Sequence, residues 1–208
     1  MHRTRPFWED AYEDLDGPGA FGPPSAEIVD LANLLPADAR VLDLGCGDGR
    51  HAIYLADHGF HVTATDVSPR AIRKLQHRAV LGGVAIKTDV RDLRDVTIDG
   101  NYDLIIAHGC LHLVEHADSE RLLSEMKAAT KAGGYNVVTV FTDAIESPED
   151  LKPFTRGLFR EGHLFEVYAD WQVKLSRSYI LEDEHPGGVH HRHAVDKLVA
   201  RKPGGNLA

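Results

Sequence analysis

The chain predicts an α/β fold, a doubly wound and mostly parallel sheet of seven strands with one antiparallel strand near its edge. Three observations carry that expectation. Short apolar runs alternate with amphipathic helical stretches in the order β-α-β-α-β-β-α-β, which favours parallel strands joined by right-handed crossovers. The first run, Val41 to Leu44, turns at once into a glycine-studded bend. The last two runs, Val167 to Leu181 and Val195 to Ala200, are joined only by the segment Glu182 to His193, too short for a crossover helix and therefore predictive of an antiparallel pair. A length of 208 residues suits a single domain over 1–208, with an irregular N-terminal segment over 1–24 and an insertion over 143–165 on the side where ligands bind.

Taken in order, Phe7-Trp-Glu-Asp-Ala-Tyr12 reads as a short helix that Gly17, Pro18, Gly22 and Pro23 then break up. Its aromatics could lid a ligand or cover one edge of the core. Ser25 is placed to cap a helix carrying Ile28, Leu31, Leu34 and Leu35, which Pro36 ends. After the glycine bend, Ala52, Ile53 and Ala56 recur at helical spacing and Gly59 supplies the stop. His61 to Asp66 is a second strand, and Ser68-Pro69 forms a cap and first position for a helix bearing Ile72, Leu75 and Ala79. Val84 to Thr88 is a third strand ending in Asp89-Val90. Tyr102 to Ala107 is apolar throughout, as a strand buried on both faces should be. Asp118 can cap the next helix, with Leu122, Leu123 and Met126, closed by Gly133-Gly134; Tyr135 to Phe141 is the fifth strand. Glu146 to Gly162 reads as a helix and a loop on the substrate side.

Charge and composition narrow the partners. A net charge of -9 disfavours a nucleic-acid partner, which needs a basic face, and favours a small molecule. No apolar run approaches the roughly 18 residues of a membrane span, and Met1-His-Arg-Thr-Arg-Pro6 lacks the apolar region of a secretory signal. The expectation is a soluble, cytoplasmic protein with no membrane partner. Cys46 and Cys110 are too few for a disulfide framework and read as small core residues of a reducing compartment.

The chemistry concentrates at Asp43-Leu-Gly-Cys-Gly-Asp-Gly-Arg50. Gly45, Gly47 and Gly49 let a ligand approach the backbone, and the helix behind them offers free N–H groups. A dinucleotide fingerprint wants G-x-G-x-x-G, whereas the third glycine here comes one residue early and Arg50 follows it. Asp43 and Asp48 add negative charge where a pyrophosphate would be repelled and an ammonium welcomed. Asp66, 23 residues beyond Asp43 at the end of the second strand, can accept hydrogen bonds from both hydroxyls of a ribose. His108-Gly-Cys-Leu-His112 lies at the carboxyl end of a strand, where open α/β sheets carry their sites. His108, His112 and His116 are spaced as metal ligands on one helix would be, but Gly109 interrupts them and no metal is expected.

The D-x-G-x-G-x-G pattern resembles the first motif of the class I S-adenosylmethionine (SAM)-dependent methyltransferases. With Tyr54-Leu55-Ala56, Thr130-Lys-Ala-Gly-Gly-Tyr-Asn136, Phe159-Arg-Glu-Gly162 and Leu198-Val-Ala-Arg-Lys202, the chain looks like the tellurite-resistance (TehB-like) branch of that family over nearly its whole length. The resemblance implies a SAM cofactor held by Asp43, Gly45, Cys46, Gly47 and Gly49, by Asp66 and Val67 at the ribose, by Asp89 and Val90 at the adenine, and by His108. It implies methyl transfer to a small soft nucleophile, a thiol or a selenium or tellurium compound. His and Arg residues at the turn before the last strand handle the acceptor in such enzymes, which points to His185, His190, His191 and Arg192 here; His112 is placed for the pocket wall. The turn is shorter and richer in histidine than in the family, with Pro186 where a His-Arg pair is expected. The alternatives are a SAM-binding regulatory module without turnover and an NAD-dependent oxidoreductase.

Overall fold

The computed structural model describes residues 6–185 and 189–204. Its seven strands are β1 (Arg40–Leu44), β2 (His61–Asp66), β3 (Lys87–Val90), β4 (Tyr102–His108), β5 (Thr130–Phe141), β6 (Gln172–His185) and β7 (Val189–Arg201). They form one sheet in the order β3-β2-β1-β4-β5-β7-β6. The first five pair in parallel, and β7 runs antiparallel to both of its neighbours. This is the doubly wound sheet with an antiparallel pair at its edge that the alternation of elements predicts.

Among the described residues six helices flank the sheet: α1 (Phe7–Ala11), α2 (Ala26–Ala32), α3 (Arg50–Asp57), α4 (Pro69–Leu81), α5 (His116–Ala129) and α6 (His163–Val167). Alternate strand residues feed two apolar layers. Val41, Leu104, Ile106, Val137 and Val199 pack under α2, α3 and α4 through Ile28, Leu31, Leu55, Ile72 and Leu75. Leu42, Ile105, Val138 and Leu198 pack under α5 through Leu122, Leu123 and Met126, with Tyr168 and Trp171 closing that layer. The period of two along each strand thus places every carboxyl-end residue on a definite face.

Several boundaries differ from the sequence reading. Ser25 takes the N-cap position of α2, but its hydroxyl bonds the His51 ring at 2.9 Å and makes no side-chain cap. The helix ends at Ala32, so Leu34 is left exposed. α5 starts at His116 with Glu115 as N-cap, while Asp118 sits in its first turn facing Arg121. No helix forms over 146–162, where Pro148, Pro153 and Gly157 interrupt the chain; the segment is a series of turns leading to α6. β3 begins only at Lys87, because its pairing is with Thr63–Asp66 of β2. The largest difference is at the hairpin. β6 and β7 pair from Gln172↔Arg201 out to His185↔Val189, so most of the expected turn is strand.

One buried polar chain fixes β5 against the α5 layer. The Tyr168 hydroxyl donates to Asn136 Oδ1 at 2.9 Å, and Asn136 Nδ2 donates to Thr130 Oγ1 at 2.7 Å. Tyr168→Phe leaves the Asn136 oxygen buried without its donor, and urea unfolding should show a loss of about 1–3 kcal/mol.

Candidate active site

The glycine bend between β1 and α3 is built from backbone that side chains cannot follow. Gly45, Gly47 and Gly49 have φ of 62°, 56° and 84°, and a Cβ on Gly45 would stand 2.4 Å from the Cys110 Cβ. Asp66, at the end of β2, pins the bend: its two oxygens accept from the backbone N–H of Gly47 at 2.8 Å and of Ser68 at 2.9 Å. Ser68 in turn caps α4 by accepting from Ala71 N, with Pro69 first in the helix. The bend opens on a cleft of about 860 Å³. Asp43, Gly45, Cys46, Gly47, Asp66, Val67 and His108 all line it. Gly49 does not; it packs beneath the bend against Leu75. Asp48 also turns away, accepting from Ala20 N at 2.7 Å and facing Arg78 at 3.2 Å, so it ties down the N-terminal segment instead of charging the cradle. Both thiols are buried, and burial pushes both pKa values up, which leaves Cys46 and Cys110 as packing residues.

Asp43 carries the site's main electrostatic tension. It is 2% exposed, and its Oδ2 has no hydrogen-bond partner among the described residues. Burial lifts its pKa from 3.8 to about 7, against the pull of Arg50 and with help from Asp66. Arg50 lines the same wall, donating to the Phe21 carbonyl at 2.7 Å and to His108 Nδ1 at 3.2 Å. The N-terminal segment roofs this end through Trp8, Tyr12 and Phe21, and Trp8 meets Phe154 of the 146–162 segment edge to face at 5.9 Å.

At the other end, Asp89 and Val90 do not reach the cleft. They lie within β3, where Asp89 faces Arg91 at 2.9 Å, and the wall is made instead by Arg91, Asp92, Leu93 and Arg94. β3 extends until Val90 pairs with Asp66, so the residues that clear the strand come one step later than expected.

The histidines divide by face. On β7, His191, His193, Val195 and Lys197 alternate onto one side, and His190, Arg192 and Ala194 onto the other. His193 lines the cleft; Arg192 is exposed opposite Glu182 at 3.7 Å, and His190 is exposed as well. His191 is buried behind His193, its Nε2 3.0 Å from Asp150 Oδ1. His185 ends β6, but its side chain, like Pro186, lies outside the described residues. His190 and Arg192, expected at the acceptor, thus stand on the face away from the cleft, because a strand sends neighbours to opposite sides. His193 was missed, although the H-x-H spacing of His191 and His193 could have found it. His112 is where the sequence suggests, on the cleft wall and 2% exposed. Its ring stacks on Phe141 at 4.1 Å, and Phe141 stacks on His193 at 4.2 Å, so the phenyl ring is held between two imidazoles. Burial and the nearby His193 lower the His112 pKa to about 3. Its Nδ1 accepts from Phe141 N at 3.2 Å, which places the ring proton on Nε2. His108, His112 and His116 fall on β4, a 3₁₀ turn and α5 respectively, so they share no helix face.

With this geometry in view, a family model described as "Tellurite resistance protein TehB" matches residues 19–193. The chain belongs to the TehB family. Among its relatives, "Probable S-adenosyl-L-methionine-dependent methyltransferase TehB" of Haemophilus influenzae is 32% identical over 70% of this chain and 50% of its own length. "Hemagglutinin 1" of Eikenella corrodens is 28% identical over 81% of this chain and 56% of that protein. The crystal structure of TehB from Haemophilus influenzae superposes with a TM-score of 0.78 at 27% identity, covering 94% of this chain and 67% of that one. The TehB-family chain thus spans about half the length of these curated relatives. Among its described residues no helix is long and apolar enough to cross a membrane.

The raised Asp43 pKa has a measurable sign. Between pH 3.8 and about 7 the folded protein holds a proton that the unfolded chain has released, so stability falls as pH rises through that window. Asp43→Asn removes this dependence. Thermal unfolding should show the variant's advantage over wild type growing from near zero at pH 4 to about 5 °C or more at pH 8.

Proposed function

We propose that this TehB-family chain transfers a methyl group from SAM to a small, soft, uncharged acceptor such as a thiol or a selenium or tellurium compound. The observation that carries the reading is the buried Asp43 oxygen without a partner, set at a three-glycine bend with Asp66 beside it. An ammonium group satisfies that oxygen and relieves the cost of its charge, which a phosphate would increase. The residues therefore fit SAM: Asp43 and Arg50 hold its amino-acid end, Asp66 accepts from the ribose hydroxyls, and Val67 and Leu93 cover the adenine. When bound, SAM supplies an electrophilic methyl on a sulfonium that departs as a neutral thioether and needs no acid.

What the protein adds is alignment, exclusion of water and removal of the acceptor's proton. His193 is the base in this reading, since its ring lines the cleft and a neutral imidazole nitrogen can accept a proton. His112 stays neutral and keeps its Nε2 proton, so it serves as a fixed hydrogen-bond donor to the acceptor. An oxyanion such as tellurite fits less well. Arg192 faces away, Arg50 is taken by the cofactor's amino-acid end in this reading, and the remaining cleft arginines stand opposite acids: Arg91 by Asp89, Arg94 by Asp92 and Arg156 by Glu115.

Turnover of a panel of thiols, selenite and tellurite, scored by S-adenosylhomocysteine release, tests the assignment. His193→Gln should lower kcat by about 100-fold or more with cofactor affinity unchanged, whereas Arg192→Ala should stay within about twofold of wild type on a neutral thiol. Cofactor binding with no turnover of any acceptor would leave a binding module in place of an enzyme.

A further inference from the structure

The carboxyl ends of β4 and β5 and the middle of the antiparallel β7 set His108, Thr139 and Lys197 in one row across the sheet. Residues opposite one another share a face, here the one covered by α2. Lys197 Nζ lies 2.8 Å from Glu27 Oε1 in the first turn of α2, with the two side chains only 16% and 11% exposed. The same carboxylate oxygen is 3.7 Å from His108 Nε2. On its other edge His108 Nδ1 accepts from Arg50, which can only donate, so the His108 proton must sit on Nε2 and point at Glu27. A row of polar groups therefore runs from Lys197 through Glu27 and His108 to the Arg50 guanidinium on the cleft wall, its Glu27–His108 step of 3.7 Å being an electrostatic contact longer than a hydrogen bond. Burial opposes ionisation of Glu27, but His108 and Lys197 outweigh it and hold the carboxyl well below its ordinary range. His51, bonded to Ser25, flanks the line with its ring 5.0 Å from that of His108.

A buried ion pair of this kind adds little net stability over apolar residues of the same size, so stability alone does not account for it. Its position does. We propose that the Glu27–Lys197 pair is a positioning device for the amino-acid end of the cofactor, orienting His108 and, through it, Arg50 against a carboxylate held next to the Asp43 ammonium site. A guanidinium held on two sides loses little freedom when it takes a carboxylate in its fork. The inference rests on the assignment of the glycine-bend end of the cleft to the methionine part of SAM.

Two ligands separate this role from a merely structural one. S-adenosylhomocysteine carries the amino acid, and 5′-methylthioadenosine lacks it while keeping the nucleoside. By calorimetry, Glu27→Gln should bind S-adenosylhomocysteine about tenfold more weakly and 5′-methylthioadenosine within about twofold of wild type. Because breaking one half of a buried pair can unfold a protein, the double variant Glu27→Leu with Lys197→Met keeps the packing and should show the same selective loss. Equal loss for both ligands, or a double variant with full S-adenosylhomocysteine affinity, overturns the proposal. Arg50→Met tells the two levels apart. If it abolishes the preference for the amino acid while the Glu27 variants do not, the positioning role fails and the site assignment stands; if none of the three changes the preference, the site assignment fails with it.

Discussion

The grip of Asp66 on the glycine bend is the contact on which the rest of the site depends. A turn with three residues in the left-handed region has no side chains of its own to hold it, so its shape must be imposed from outside. The Asp66 carboxylate does this by taking the N–H of Gly47 on one oxygen and that of Ser68 on the other. One group thereby fixes the bend, the end of β2 and the start of α4 relative to each other. The same hydrogen bonds lower the cost of the buried charge, although burial still lifts its pKa above the ordinary value. Asp66 remains able to accept further hydrogen bonds, because each carboxylate oxygen has a second lone pair.

The N-terminal segment depends on that frame without belonging to the sheet. Buried Lys74 of α4 donates to the Ala11 carbonyl at 3.1 Å, Arg50 to Phe21, and Asp48 receives Ala20. Three bonds from elements around the bend thus draw a chain rich in glycine and proline across the cleft. The segment brings Trp8 against Phe154, where the two roofing segments meet over the cleft. Water exclusion at the reacting atoms would follow from this arrangement.

How far the sequence reveals all this depends on the range of the interaction that fixes each residue. Asp66, Ser68 and Pro69 were legible because a strand end, a cap and a first helical proline are local signals. The parallel order and the antiparallel edge followed from connection lengths. β3 was misplaced because its end is set by its partner strand, so Asp89 and Val90 remain in the ladder while Arg91 to Arg94 turn into the cleft. The histidine-rich segment differs from its sequence expectation for another reason. The sequence suggests a turn there, where faces have no meaning, whereas the strands pair out to His185↔Val189. Once those residues are strand, alternation alone decides which imidazoles meet the cleft. The polar line behind Arg50 gave no local signal, because Glu27, His108 and Lys197 meet only through the fold.

The alternation along β7 also bears on how such a cleft could change its clientele. Neighbouring positions there serve opposite sides, with imidazoles inward at 191 and 193 and a guanidinium outward at 192. Deleting or inserting a single residue near the hairpin tip would slide the strand by one step and exchange the two sets. A lining of imidazole rings would become one that carries a permanent cation, with no substitution in the sheet interior. Affinity for charged or uncharged acceptors could thus diverge between relatives through hairpin length alone.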